Sequence, residues 1–106
     1  AGGAETGREV ASRDTEPLTH EEQKALRSRQ QKLEKRVDEL VDKIADAEQR
    51  HSEIQHELAL PEVYEDGAAV KRLTGQLSAV EEQIAELTER WEAATEDLES
   101  LAGARG

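Results

Sequence analysis

Three histidines, His20, His51 and His56, and an excess of carboxylates are the only side chains in this sequence with an obvious route to chemistry. Metal binding needs several ligands converging on one point, commonly histidines and carboxylates at matched spacings. His51 and Gln55 stand one helical turn apart, but glutamine is a poor zinc ligand, so His51 reads as a tolerated polar layer. General acid–base catalysis needs a carboxyl whose ionisation is tuned by burial. The acids here follow one another along polar, solvated helix faces and lack that burial. There is no Gly-rich phosphate loop and no GxxxxGK[ST] motif, so this segment cannot bind ATP as a P-loop protein does. There is no cysteine, which excludes disulfides and thiolate metal sites. The expectation is a non-catalytic segment with no metal site.

A different chemistry is open to the cations. Lys24, Arg27, Arg29, Lys32, Lys35 and Arg36 crowd one short stretch, with only Glu34 among them. Such a cluster suits contacts to a phosphate backbone, which are salt-sensitive and carry no base readout. No aromatic residue accompanies it, so recognition of single strands by base stacking is not expected. The segment from Glu89 to Glu99 has the opposite sign: Glu89, Glu92, Glu96, Asp97 and Glu99 are relieved only by Arg90. Pairing between the two segments within one molecule is the preferred reading of these charges, with phosphate contact as the alternative. The formal net charge of −11 opposes wholesale binding to nucleic acid or to an anionic membrane.

The elements that must position these charges follow from the apolar spacing. Leu26, Leu33, Leu40, Ala47 and Ile54 recur every seven residues and take heptad position d. Gln30, Val37, Ile44, His51 and Leu58 take a. After an interruption the pattern resumes, with Val70, Leu77, Ile84, Trp91 and Leu98 at a and Leu73, Val80, Leu87, Ala94 and Leu101 at d. Thr19-His20-Glu21-Glu22 has the form of a capping box and should open the first helix. The interruption, Pro61-Glu62-Val63-Tyr64-Glu65-Asp66-Gly67, holds a proline that cannot continue a helical ladder and an Asp-Gly pair suited to a new helix start. A break this short makes the two helices antiparallel neighbours.

The fold class read from this pattern is all-α, a two-helix antiparallel coiled-coil hairpin. Residues 1–17 are expected to be a flexible linker or tail. The hairpin is expected over 18–102, with helix 1 at about 19–60, the tip at 61–67 and helix 2 at about 67–101. Gly103 and Gly106 suggest a frayed C-terminus over 103–106.

The seam should be built from Leu33, Val37, Leu40, Ile44, Ile54, Leu58, Leu73, Leu77, Val80, Ile84, Leu87, Trp91 and Leu98. Trp91 reads as a core filler. Pro61, Val63, Tyr64, Asp66 and Gly67 are assigned to closing the tip, with Val63 and Tyr64 folding back on the end of the seam. Two registers satisfy the heptads. One sets Leu58 against Leu73, Ala47 against Ile84 and Leu40 against Trp91; the other slides by a heptad and sets Leu33 against Trp91. The first is preferred because it pairs small with large residues. A monomer is expected, with a homodimeric coiled coil as the alternative. No apolar run is long enough for a membrane span, and Ala1 in place of an initiator Met is expected of a piece of a longer protein.

Three short motifs go beyond a generic coiled coil: Leu18-Thr19-His20-Glu21-Glu22-Gln23 at the start, Leu60-Pro61-Glu62-Val63-Tyr64-Glu65-Asp66 at the tip, and Glu89-Arg90-Trp91-Glu92 late in helix 2. In this order and spacing the chain resembles the C-terminal coiled-coil domain of ABC-F ATPases of the Uup type, over roughly Leu18 to Leu101. The resemblance implies a cytoplasmic parent with two ATP-binding cassettes and no transmembrane domain, acting on ribosomes. ATP and Mg would belong to those absent cassettes. The hairpin would then be an appendage toward ribosomal RNA, tRNA or DNA, packed beside the parent's ATPase domains. Family members often carry a Leu-Pro step early in helix 1. Arg29-Gln30 stands there in this chain, so the resemblance does not carry a kink over. A structural or protein-interaction coiled coil, and the tRNA-gripping arm of an aminoacyl-tRNA synthetase, are the competing readings.

Overall fold

A computed structural model describes residues 18–105. The tail expected over 1–17 and the final glycine lie outside the described residues. Two long helices pack antiparallel, joined by a single short one: α1 is His20–Leu58, α2 is Pro61–Tyr64 and α3 is Gly67–Arg105. Each long helix has 39 residues, about 58 Å at the rise of an α-helix.

The helix ends are set by local chemistry. Thr19 is the N-cap of α1, and the Glu22 N–H donates to Thr19 Oγ1 at 3.1 Å. The reciprocal half of the capping box is not made among the described hydrogen bonds; Glu21 and Glu22 in the first turn still suit the positive end of the helix dipole. The helix then runs without interruption past Arg29-Gln30. At its other end Ala59 is the C-cap and Leu60 turns extended (φ −75°, ψ 133°), as the residue before a proline must to avoid its ring. Pro61 opens α2 at its first position, where a missing N–H costs nothing.

Asp66 then caps α3. Its Oδ1 accepts from the N–H of Ala68 at 3.1 Å and of Ala69 at 3.4 Å. Replacing Asp66 with alanine leaves these donors without their protein partner and should lower stability by about 1 kcal/mol. Urea denaturation of the variant checks this; an unchanged midpoint would mean the cap contributes nothing.

The seam has an asymmetry that the heptad pattern alone does not show. Every buried residue among those described is a d residue: Leu40, Ala47 and Ile54 of α1, and Leu73, Val80, Leu87 and Ala94 of α3. The a residues Val37, Ile44, Leu58, Leu77, Ile84 and Trp91 are partly buried and pack against that cluster, as does Val63 of the tip. Leu33 and Leu98, expected in the core, are half-buried near the open end and stand outside it. Around a heptad helix, g neighbours d, while e neighbours a. The g positions Arg36, Lys43, Arg50, Gln83 and Arg90 carry long side chains whose stems are placed to cover d. At e, Val41, Thr74, Thr88 and Thr95 are short and leave the neighbouring a residues open, whereas Glu34, Glu48, Gln55 and Glu81 are long.

The register is the one with Ala47 against Ile84. His51 Nε2 lies 3.3 Å from Glu81 Oε2, and Val41 and Ile44 share a groove with Thr88 and Trp91. The register slid by a heptad would carry each of these pairs about 10 Å apart along the axis.

Two expectations need correction. Tyr64 does not fold back on the seam: it is 57% exposed, whereas Val63 packs inward. Successive residues of a helical turn point about 100° apart, so α2 can turn only one of the two toward the seam. The C-terminal stretch expected to fray from residue 103 is helical to Arg105; Gly103 weakens a helix but does not have to end it. Gly67 opens α3, as expected of the Asp-Gly pair, with an ordinary negative φ.

Gly75, at the outer f position, is likewise an ordinary helical residue. A Cβ there would meet nothing within 4 Å. Gly75→Ala should therefore stabilise the hairpin by roughly 0.5–1 kcal/mol. Thermal unfolding followed by circular dichroism reads this as a higher midpoint; a lower one would place a close neighbour over that face.

Candidate nucleic-acid interface

The cations singled out from the sequence sit along the first part of α1, and all six are exposed. Helical geometry does not bring them to one face. Lys24 falls at b, Arg27 at e, Arg29 and Arg36 at g, Lys32 at c and Lys35 at f. The cluster is a collar around the open end of the hairpin.

A straighter arrangement runs through it. Arg29, Arg36, Lys43 and Arg50 stand seven residues apart, so every g position of α1 from Arg29 to Arg50 is cationic. All four are exposed, and the line they form is about 32 Å long. In the observed register the g position of α3 nearest Lys43 is Arg90, also exposed, which broadens the line at its middle. Asp97 is the acid that α3 contributes at g beside it. Lys43 and Arg50 were missed by counting cations in a sequence window. Their signal was the seven-residue repeat itself, one position before each a residue.

These cations make no ion pair among the described residues. Among the described residues the one ion pair is His51–Glu81, on the other flank of the seam. The basic start of α1 and the acidic end of α3 run side by side without a salt bridge, so mutual pairing does not occupy the cationic line. Exposed carboxylates on α1 instead take local hydrogen bonds, as in Gln30 Nε2 donating to Glu34 Oε1 at 2.9 Å and Gln49 Nε2 donating to Glu53 Oε1 at 3.3 Å. Such pairs one turn apart stabilise the helix weakly.

Nothing among the described residues forms a second kind of centre. No group of three or more His, Cys, Asp or Glu side chains is arranged to hold a metal ion. No helix is long and apolar enough to cross a membrane. His51 is held at a by its neighbour Glu81, and its side chain is 23% exposed. His20 and His56 are exposed on other turns of α1. Pro61, Val63, Asp66 and Gly67 lie at the tip, at the opposite end of the hairpin from Arg29 and the collar.

The fold and its surface define a class: a two-helix antiparallel coiled-coil module with one apolar seam and a cationic flank. Residues 28–96, more than half of the chain, match the family model described as ABC transporter C-terminal domain, and the chain belongs to that family. No curated protein and no solved structure matches it.

Proposed function

We propose that this hairpin is the non-catalytic, nucleic-acid- or ribosome-contacting C-terminal appendage of a cytoplasmic two-cassette ABC-F ATPase of the Uup type. Membership of the ABC transporter C-terminal domain family supports an appendage of an ABC protein. ATP and Mg belong to the cassettes of that parent, and the hairpin adds a contact surface. The observation that carries the polyanion reading is the exposed line Arg29, Arg36, Lys43 and Arg50 with Arg90 beside it, which makes no ion pair among the described residues.

A cationic line on a rigid rod meets phosphates without reading bases. Acids adjoin this line at the c positions Glu39, Asp46, Glu53 and Glu86, so in a molecule of net charge −11 the attraction is local to the g cations themselves. The net charge keeps the interaction weak and strongly dependent on salt.

The test is fluorescence anisotropy with a labelled RNA duplex and a labelled DNA duplex of the same sequence, against the full chain and against Arg36→Glu/Lys43→Glu/Arg50→Glu. Binding that disappears in the variant, with helicity retained, supports the proposal. Undiminished binding overturns it. A preference between the two duplexes identifies the polymer.

A further inference from the structure

The flank of the seam opposite the cationic line has a different character. Val41, Ile44, Ala45 and Glu48 of α1, with Thr88 and Trp91 of α3, line an open groove of about 520 Å³. Val41 is one of only three large apolar residues exposed among those described, at 47%. Ile44 and Trp91 on the groove floor are only partly buried. Thr88 Oγ1 is turned back on its own helix, donating to Ile84 O at 2.7 Å. Two turns further, Thr95 Oγ1 is covered yet makes no hydrogen bond.

The edge of this groove is acidic. Glu48 lines it, and along the same flank of the hairpin the b and e positions carry Glu34, Asp38, Glu81, Glu92 and Glu99; from Glu34 to Glu99 the only cation at such a position is Lys71, near the tip. Of these acids, Glu81 alone is in an ion pair.

We infer that this groove is a docking site for a cationic amphipathic α-helix of a protein partner, which completes a three-helix bundle over Trp91. The shape fits that occupant: two antiparallel helices with a continuous half-buried a row leave a trough for the apolar stripe of a third helix. Trp91 and Ile44 supply the large anchors and Val41 the exposed wall, while Ala45 lets a third backbone approach closely. Charge selects the partner's edges. Lys or Arg flanking the apolar stripe would meet the unpaired acids, whereas nucleic acid and anionic lipid are repelled on this flank. The site lies across the seam from the cationic line, so it stands or falls independently of the proposed function.

Trp91 is the only tryptophan in the chain and reports directly on the groove. The probe is a three-heptad synthetic peptide without aromatic residues, with Leu at a and d and Lys at e and g, titrated into the full chain while Trp91 emission is recorded. A saturable blue shift is expected, and the same peptide with Glu in place of Lys should bind at least about tenfold more weakly. Val41→Glu and Ala45→Glu decide between groove binding and bulk attraction. Each adds an acid, which strengthens a purely electrostatic association, yet each blocks the groove and should weaken docking by about tenfold or more. The inference is overturned by an unshifted Trp91, by equal binding of the Glu peptide to the unaltered chain, or by tighter binding of the two variants. Sedimentation showing that a second copy already covers Trp91 without peptide would also overturn it.

Discussion

Leu87→Ala should lower the stability of the hairpin by about 2–4 kcal/mol, a large share of what a molecule of this size possesses. Leu87 is 6% exposed, and the register faces it with Ile44, itself only partly buried. Truncation removes three buried carbon atoms, and a two-helix seam has no third layer to close over the gap. Val41→Ala is the matched control: it deletes apolar atoms from a side chain that is 47% exposed and should change stability by less than about 0.5 kcal/mol. Circular dichroism during urea denaturation measures both. Equal midpoints for the two variants would contradict the assignment of d as the buried row.

The second large effect concerns binding. Two triple reversals change the net charge equally but act on different faces. Arg36→Glu/Lys43→Glu/Arg50→Glu removes three successive g cations, whereas Lys24→Glu/Lys32→Glu/Lys35→Glu alters b, c and f of the collar. If about four phosphates are neutralised along the g line, affinity for a duplex should fall roughly 100-fold between 50 and 200 mM salt. The first triple should abolish most binding at low salt. The second should weaken it modestly, through the changed net charge and the loss of Lys32 beside the line. Equal losses would assign the effect to bulk charge and not to the g line.

Most of the fold was legible because its determinants are local. The hydroxyl of Thr19, the carboxylate of Asp66 and the ring of Pro61 each act within a few residues of themselves, and each sits where its chemistry requires. The period of Leu, Ile and Val residues likewise fixes which stripe faces the partner. What the pattern could not give is how deeply each position of that stripe is buried. That depends on the neighbours at e and g, where a Thr or Val covers less than an Arg or Gln. Ala47 and Ala94 illustrate the point: they are among the most buried residues, yet their small size left them off the expected core. The tip posed a different difficulty. Val63 and Tyr64 are adjacent and both bulky, and only the direction of a four-residue helix decides which one meets the seam.

The candidate site was half legible. Arg29 and Arg36 stood out in a window of cations. Lys43 and Arg50 lie among acids in sequence and join the line only after the chain is wound into a helix and placed against its partner. The same winding separates the apolar groove at Trp91 from the cationic flank, a division that net charge and composition average away.

The central claim is that the g line is the polyanion-contacting surface. It is tested most directly by the salt dependence of duplex binding, measured for the full chain and for Arg36→Glu/Lys43→Glu/Arg50→Glu. A plot of log K against log salt concentration should have a slope of about −3 to −4 for the unaltered chain and close to zero for the variant. An unaltered slope in the variant, with its helicity intact, would contradict the account.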